Sequence, residues 1–306
     1  MVVQSIQQRT LGNSISAIGV GLHTGKRMTI TLNPAPVDAG ISFRRSDLDG
    51  NPVIPANPEK VGDTRLSTTL ENDGVRVSTV EHLMAAFAGL GIDNALVDVD
   101  GPEIPIMDGS AGPFVFLIES AGIKEQGAPR EYIRILETIE LVDGDKWARL
   151  EPADTYNISF SIDFDHPVLR QSEQTVSFSF ERGSFVKDVS RARTFGFVHD
   201  VEQLQTQGLV LGGGLENAIV LDDNQILNED KLRYCNEFVK HKVLDALGDL
   251  YLLGHPIIGA FSAHKSGHAL NNRLIRALLE SNESWERVTL DENMRSPEVQ
   301  PGAVYA

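Results

Sequence analysis

The chain has 306 residues, with 27 Lys+Arg against 43 Asp+Glu and a net charge of −16. At about 100–200 residues per domain, that is enough for two domains with real cores. Such acidity excludes sequence-independent nucleic-acid binding, which needs several Lys/Arg to neutralise phosphates, but leaves room for a small anion held by a few basic groups. The single cysteine, Cys235, excludes an intramolecular disulfide and a Cys-rich zinc site, so a bound metal must draw on His, Asp and Glu.

In chain order, Ile15–Gly21 and Met28–Leu32 read as strands flanking His23-Thr24-Gly25-Lys26, a glycine-containing hairpin connection. A strand at Ile41–Arg44 precedes a Pro/Asn/Asp-rich loop from Asp47 to Pro58. Ser78 or Thr79 can cap a helix over Val80–Leu90 that stops at Gly89/Gly91. A strand at Ala95–Val99, the turn-rich Gly101–Gly112 and a short helix with Pro113 in its first turn follow. Gly122–Glu131 reads as an interdomain connection. Strands resume at Tyr132–Leu136, Ile139–Val142, Trp147–Leu150, Ile158–Ile162 and Thr175–Phe180. Next come a polar helix at His199–Gln207, the triplet Gly212-Gly213-Gly214, a long helix from about Asp230 to Leu253, a strand over Ile257–Ser262 and a last helix over His268–Glu280. The N-terminus lacks the charged-then-apolar pattern of a signal peptide, and no apolar run is long enough to span a bilayer. The expectation is a cytoplasmic protein with no integral membrane segment.

The halves resemble each other. V-E-H-L-M-A-A-F-A-G-L from Val80 aligns without gaps to V-K-H-K-V-L-D-A-L-G-D from Val239, and each is followed by a strand, a glycine-containing turn and another helix. On the second of these helices His241, Asp245 and Asp249 stand at i, i+4 and i+8, within an arc of about 80°. Val239, Val243, Ala246, Leu247 and Leu250 form an apolar stripe roughly opposite. For an isolated helix such a ladder reads as a solvated polar face. Against this, the repeat gives His82 the same helical phase, on a face made of Ala85, Ala86 and Gly89 that suits a close helix neighbour better than water.

If the two helices meet, His82, His241 and Asp245 converge as two imidazoles and a carboxylate, the donor set of a catalytic zinc with an open position. A water on such an ion has a pKa of about 7. Glu81 is then the general base, and His268, oriented and kept cationic by Asp249, a second acid/base or oxyanion-stabilising group. Lys242 and Lys265 could meet a phosphate. His268 could equally serve only a helix N-terminus. His23 sits in an unusual glycine-rich segment and lines a site, whereas His166, His199, His255 and His264 read as turn or surface residues. There is no dinucleotide fingerprint, P-loop or nucleophile elbow.

At these residues the sequence resembles the UDP-3-O-acyl-N-acetylglucosamine deacetylases, zinc amidases of lipid A biosynthesis in Gram-negative bacteria. The matching motifs are Gly19–Gly25 (G-V-G-L-H-T-G), Thr79–Leu83 (T-V-E-H-L), Ala88–Asn94 (A-G-L-G-I-D-N), Pro105–Gly109 (P-I-M-D-G), Ser190–Phe197 (S-R-A-R-T-F-G-F), Leu227–Asp230 (L-N-E-D), His241–Asp249 and Lys265–Asn272 (K-S-G-H-A-L-N-N), in order from about residue 7 to 290.

The resemblance implies an α+β fold of two duplicated sandwich domains with the site between them. The first would span 1–126 with Glu81 and His82, the second 127–306 with His241, Asp245 and His268. It implies Zn2+ on His82, His241 and Asp245, Glu81 as base, His268 with Asp249 as its electrostatic or acid partner, and Thr194 as a donor to the tetrahedral oxyanion. The substrate would be a UDP-sugar bearing an acyl chain. Lys242 and Lys265 would meet its diphosphate, Phe164 its uracil, and Phe195 would lie beside Thr194 at the substrate. A β-α-β insert near 195–221 would form an apolar passage for the chain, from Phe195, Phe197, Val198, Val201, Leu204, Leu209 and Leu211. Two departures stand out: Cys235-Asn236 replaces an acidic pair, and Ser67 stands where some relatives carry cysteine. The tail P-G-A-V-Y-A has the small apolar residues that mark a chain for a regulatory protease. Two rivals remain: an amidase of the same fold acting on another N-acyl sugar, and a non-catalytic binding module.

Overall fold

The computed structural model describes residues 6–179 and 185–290. In it the suspected repeat is present as two sheets of one topology. The first contains β1 (Ile15–Val20), β2 (Arg27–Pro34), β3 (Ile41–Arg45), β4 (Val53–Pro55) and β5 (Ala95–Val99) in the order β1-β2-β5-β3-β4. Its neighbours are antiparallel except β3 and β5. Helix α1 (Glu81–Leu90) precedes β5 and α2 (Gly112–Ala121) follows it. The second contains β6 (Ile139–Asp143), β7 (Lys146–Glu151), β8 (Asn157–Ser161), β9 (Thr175–Ser179) and β10 (Ala260–His264) in the order β6-β7-β10-β8-β9. Again only the pair β8–β10 is parallel. Helix α3 (Glu237–Leu250) precedes β10 and α4 (His268–Glu280) follows it. Each sheet alternates: Met28, Ile30 and Leu32 on β2, and Ile158 and Phe160 on β8, are buried while their neighbours are partly exposed. One face of each sheet is thus apolar and must be covered, and the helices cover it.

The two units join through α1 and α3, which are buried nearly all round, and the buried side chains of both units form one continuous cluster. Gly248 permits the contact. A Cβ there would lie 2.0 Å from the carbonyl oxygen of Glu81, so the backbones touch where any other residue would hold them apart. Gly89, expected to admit a second helix, admits the ring of Phe185 instead, 2.0 Å from its would-be Cβ.

Several local expectations are corrected. The Gly122–Glu131 connection is largely a strand, Ile123–Pro129, paired antiparallel with Gln7–Leu11. Tyr132–Leu136 is Glu131–Ile135, and it pairs with Ile257–Ile258 and with Trp285–Thr289, a strand too polar to read in advance. Gly259 interrupts the strand expected over Ile257–Ser262. The Asp47–Pro58 loop contains β4.

The helix expected from Asp230 begins at Glu237, because the preceding residues turn to bind elsewhere: Arg233 reaches Asp108 at 2.8 Å and its N–H donates to the Glu237 carboxylate. Its last residues, Tyr251–Leu253, tighten to a 3-10 turn. Neither Ser78 nor Thr79 caps α1 through its side chain. Thr79 has φ +57°, Ser78 accepts from the Thr69 hydroxyl, and the carbonyl of Thr68 accepts the N–H of Val80. Phe180 and the C-terminal P-G-A-V-Y-A lie outside the described residues.

Gly248→Ala tests the helix contact. Its methyl would meet backbone, which cannot swing aside, so a loss of roughly 1–3 kcal/mol or more is expected. Calorimetry would show the lowered midpoint, and an unchanged one would mean the helices have slack.

Candidate active site

His82, the second residue of α1, faces His241 and Asp245 on α3. Asp245 Oδ1 lies 3.3 Å from His241 Nε2 and 3.5 Å from His82 Nε2, and the imidazole rings stand at 85° with centroids 5.0 Å apart. One ligand atom from each of the three lies within 4.8 Å of the others, and all three residues are buried, at 2–5 % exposure. A solvated polar face is therefore excluded: the ladder lies against α1. Asp249, the third member, stands one turn beyond and serves another purpose.

The surroundings orient each donor. The Ala192 carbonyl bonds His241 Nδ1 at 3.0 Å, which leaves Nε2 facing the cluster. Lys242 donates to Asp245 Oδ2 at 2.8 Å, turning Oδ1 toward the imidazoles. Burial pushes His241 down to about 3, so its ring is neutral with a lone pair to give. For Asp245, burial favours the acid, but His241, Lys242 and His82 outweigh it and hold the carboxyl well below its usual range. Two imidazole nitrogens and one carboxylate oxygen, buried and converging, fit a divalent metal.

Glu81 is also buried, and burial raises its carboxyl above the ordinary value; one oxygen, Oε2, accepts the N–H of Thr68 at 2.9 Å. His268 opens α4 and places Nδ1 2.9 Å from Asp249 Oδ2. Burial alone would lower its pKa, but Asp249, with Glu81 and Asp245, raises it to about 9, so the ring is cationic at neutral pH. The alternative reading of this histidine as serving only a helix N-terminus is thereby replaced: its partner is a carboxylate.

A cavity of about 570 Å3 contains these groups: Glu81, His82, His241, Asp245 and His268 line it with Thr194, Lys242, Phe164 and Phe195. Parallel strands Phe195–Phe197 and Ile219–Leu221 are joined through the helix Val198–Thr206. Phe195, Phe197, Val198, Val201 and Leu204 line the cavity. Leu209 and Leu211 do not; Val210, Leu215, Val220 and Leu227 add to the apolar wall. Leu66, Thr79 and Val210 also line it with φ of 64°, 57° and 57°. Non-glycine residues hold such a backbone only where the surroundings impose it.

Thr194 is placed by its main chain, which donates to Gly109 and accepts from Ile219, both at 2.8 Å. A second cavity of about 410 Å3 adjoins, lined by Lys242, Lys265, Lys146, Phe164 and His268 among others. Lys265 is held there by Asp145 at 2.5 Å and Asp163 at 3.5 Å. Phe164 packs edge-on against Phe195, centroids 5.4 Å apart.

His23 does line the main cavity, with Nε2 3.2 Å from Ser67 Oγ. The glycine-rich turn around it wraps the buried Glu103 carboxylate, which accepts from the N–H groups of His23 and Thr24. His166 is not a surface residue: it is buried, caps Pro167–Gln171 and bonds the Asp222 carbonyl at 2.7 Å.

Residues 8–280 match the family described as UDP-3-O-acyl N-acetylglycosamine deacetylase (LpxC). The chain belongs to this family. It is 62 % identical over 293 residues to the UDP-3-O-acyl-N-acetylglucosamine deacetylase of Thioalkalivibrio sulfidiphilus (strain HL-EbGR7), covering 95 % of this chain and 96 % of that one. The proteins of the same name from Acidithiobacillus ferrooxidans and Methylococcus capsulatus are each 59 % identical over 292 residues, with the same coverage. Among the described residues no helix is long and apolar enough to cross a membrane.

Sequence reasoning about the family site missed the groups that hold it: Thr68, Asn271, the Ala192 carbonyl, and the buried Arg193–Glu237 pair at 2.8 Å that fixes the loop carrying Ala192 and Thr194. Arg193 lies inside S-R-A-R-T-F-G-F and Asn271 inside K-S-G-H-A-L-N-N, so the signal was present without a stated partner.

The His268–Asp249 pair makes a pH prediction. With a folded pKa near 9 against the ordinary 6.5, the imidazolium stabilises the fold fully below 6.5, and that contribution is lost as pH rises through 9. Metal-free protein should become easier to unfold in urea across that window, and His268→Gln should flatten the slope. Equal slopes would mean that His268 does not titrate there.

Proposed function

We propose that the chain hydrolyses the N-acetyl amide of a UDP-3-O-acyl-N-acetylglucosamine, releasing acetate and the free amine, the lipid A step for which its relatives are named. The observation that carries the reading is the meeting of His82, His241 and Asp245 in one cavity with the buried Glu81 carboxyl and a cationic histidine. We assign zinc to those three ligands, since two imidazoles and one carboxylate with an open position are the set it favours in amide hydrolysis. The ion would polarise the acetyl carbonyl and acidify a water, and the rest of the chemistry falls to the protein.

Glu81 takes the proton of the attacking water; burial raises its proton affinity above that of an ordinary carboxylate, which favours the transfer. The carbonyl oxygen, turning anionic as the tetrahedral carbon forms, is met by the Thr194 hydroxyl and the His268 imidazolium. A proton from Glu81 or His268 then reaches the amine nitrogen as the C–N bond breaks. Lys242 and Lys265 take the diphosphate and Phe164 the uracil, because the second cavity brings these three beside His268. The apolar wall of the insert, Phe195 included, takes the acyl chain. We keep the unit boundary of the reading at 126/127, which falls inside the strand Ile123–Pro129. The reading also places the chain in the cytoplasm, where UDP-sugars are used, and leaves its C-terminal tail as the segment for a regulatory protease.

Glu81→Gln should lower turnover by about a thousandfold or more, at the upper end for a general base, with zinc content unchanged near one per chain. Loss of metal would make Glu81 a ligand instead. Chelation should abolish activity and zinc restore it; chelator-resistant turnover would remove the metal. A substrate without the acyl chain should lose most of its rate, whereas an amidase for another N-acyl sugar would accept it.

A further inference from the structure

Thr68 was in none of the motifs, yet it bonds both Glu81 and Asp249, the carboxylate that holds His268. It is 2 % exposed and uses every polar atom it has. Its N–H donates to Glu81 Oε2 at 2.9 Å, its carbonyl accepts the N–H of Val80 at the start of α1, and its hydroxyl donates to Asp249 Oδ1 at 2.6 Å. The last bond joins residues 181 positions apart and crosses from the first unit to the second. Asp249 Oδ2 meanwhile receives His268 Nδ1 and Asn271 Nδ2, each at 2.9 Å, and Asn271 is itself fixed by the Ser266 hydroxyl at 2.6 Å. Asp249 is thus gripped from both sides, and the grip on Oδ1 belongs to the residue that fixes Glu81. Leu66, two positions before, carries the left-handed backbone (φ 64°) of the turn that delivers Thr68 to this spot.

We propose that Thr68 is a positioning residue that sets the geometry of Glu81 relative to the His268–Asp249 pair, holding base and acid in register across the two units. The inference rests on the deacetylase reading above. Its physical basis is that a carboxylate with one oxygen unheld can rotate about its Cβ–Cγ bond and carry the attached imidazolium with it. Positions at this remove from the reacting atoms set rates through such orientation.

The test compares Thr68→Val, which keeps volume and the N–H to Glu81 but deletes the hydroxyl, with Thr68→Ser, which restores it. In the zinc-loaded enzyme Thr68→Val should lower kcat about 10- to 100-fold while KM and zinc content hold, and Thr68→Ser should recover most of the rate. In an Asp249→Ala background Thr68→Val should cost nothing further, since its partner is gone. In metal-free protein the His268 Nδ1–H proton signal should shift in Thr68→Val and return in Thr68→Ser. Unchanged kcat, an additive loss beside Asp249→Ala, or an unmoved His268 signal would overturn the proposal. A loss that Ser fails to recover, or that follows falling zinc content or thermal midpoint, would make Thr68 structural only and overturn it too. Wild-type protein without deacetylase turnover would instead refute the underlying reading, and the His268 signal would still decide the role of Thr68.

Discussion

The close crossing of α1 and α3 is the constraint on which the site depends. Every ligand and proton-handling group except His268 stands on one of these helices, and His268 is tied to α3 through Asp249. An imidazole and a carboxylate reach one ion from opposite helices only where those helices pack side by side. Gly248 makes that approach, with the Glu81 carbonyl resting where a side chain would begin. The crossing also removes water from between the helices, so the charges of Asp245, Lys242, Asp249 and His268 act at low dielectric and set one another's protonation.

Along α3 two aspartates one turn apart take different work because their neighbours differ. Asp245 meets His241, His82 and Lys242, stays ionised and offers an oxygen to a metal. Asp249 meets Thr68, His268 and Asn271, and its charge is spent on keeping an imidazole protonated. Glu81, with no cation bonded to it, is pushed toward its acid form by burial. Glu81 and Asp245, two carboxyls of one cavity wall, are thus pushed in opposite directions, which is how acid and base chemistry coexist at one pH.

The duplication is exact in sheet order and unequal in use. Both units place a helix before the central parallel strand and another after it, but α1 contributes Glu81-His82 and α3 contributes His241, Asp245 and Asp249. Only the second unit carries the strand–helix–strand insert that walls the cavity with apolar side chains. In the first unit the corresponding stretch, between β4 and α1, holds a small antiparallel pair, Leu70–Asn72 with Val75–Val77. A repeated scaffold supplies symmetry enough to bring two equivalent helices face to face, and departures from it supply the chemistry.

Read alone, the sequence determined what repeats locally. Alternation marked β2 and β8, helical spacing put His241, Asp245 and Asp249 on one side of one helix, and the matching V-x-H segments announced a second helix in the same phase. These are properties of residue type at short separation, and short separation is what periodicity reports. The tertiary structure alone decided which way that polar side faces, that Gly248 rather than Gly89 admits the partner helix, and that Thr68, Asn271 and the Ala192 carbonyl hold the reacting side chains. Those contacts join atoms up to 181 positions apart, and several run through backbone groups that every residue possesses. A bond to a main-chain N–H or carbonyl leaves no mark on residue identity, so only folding, by choosing which loop lies beside which helix, could make it visible.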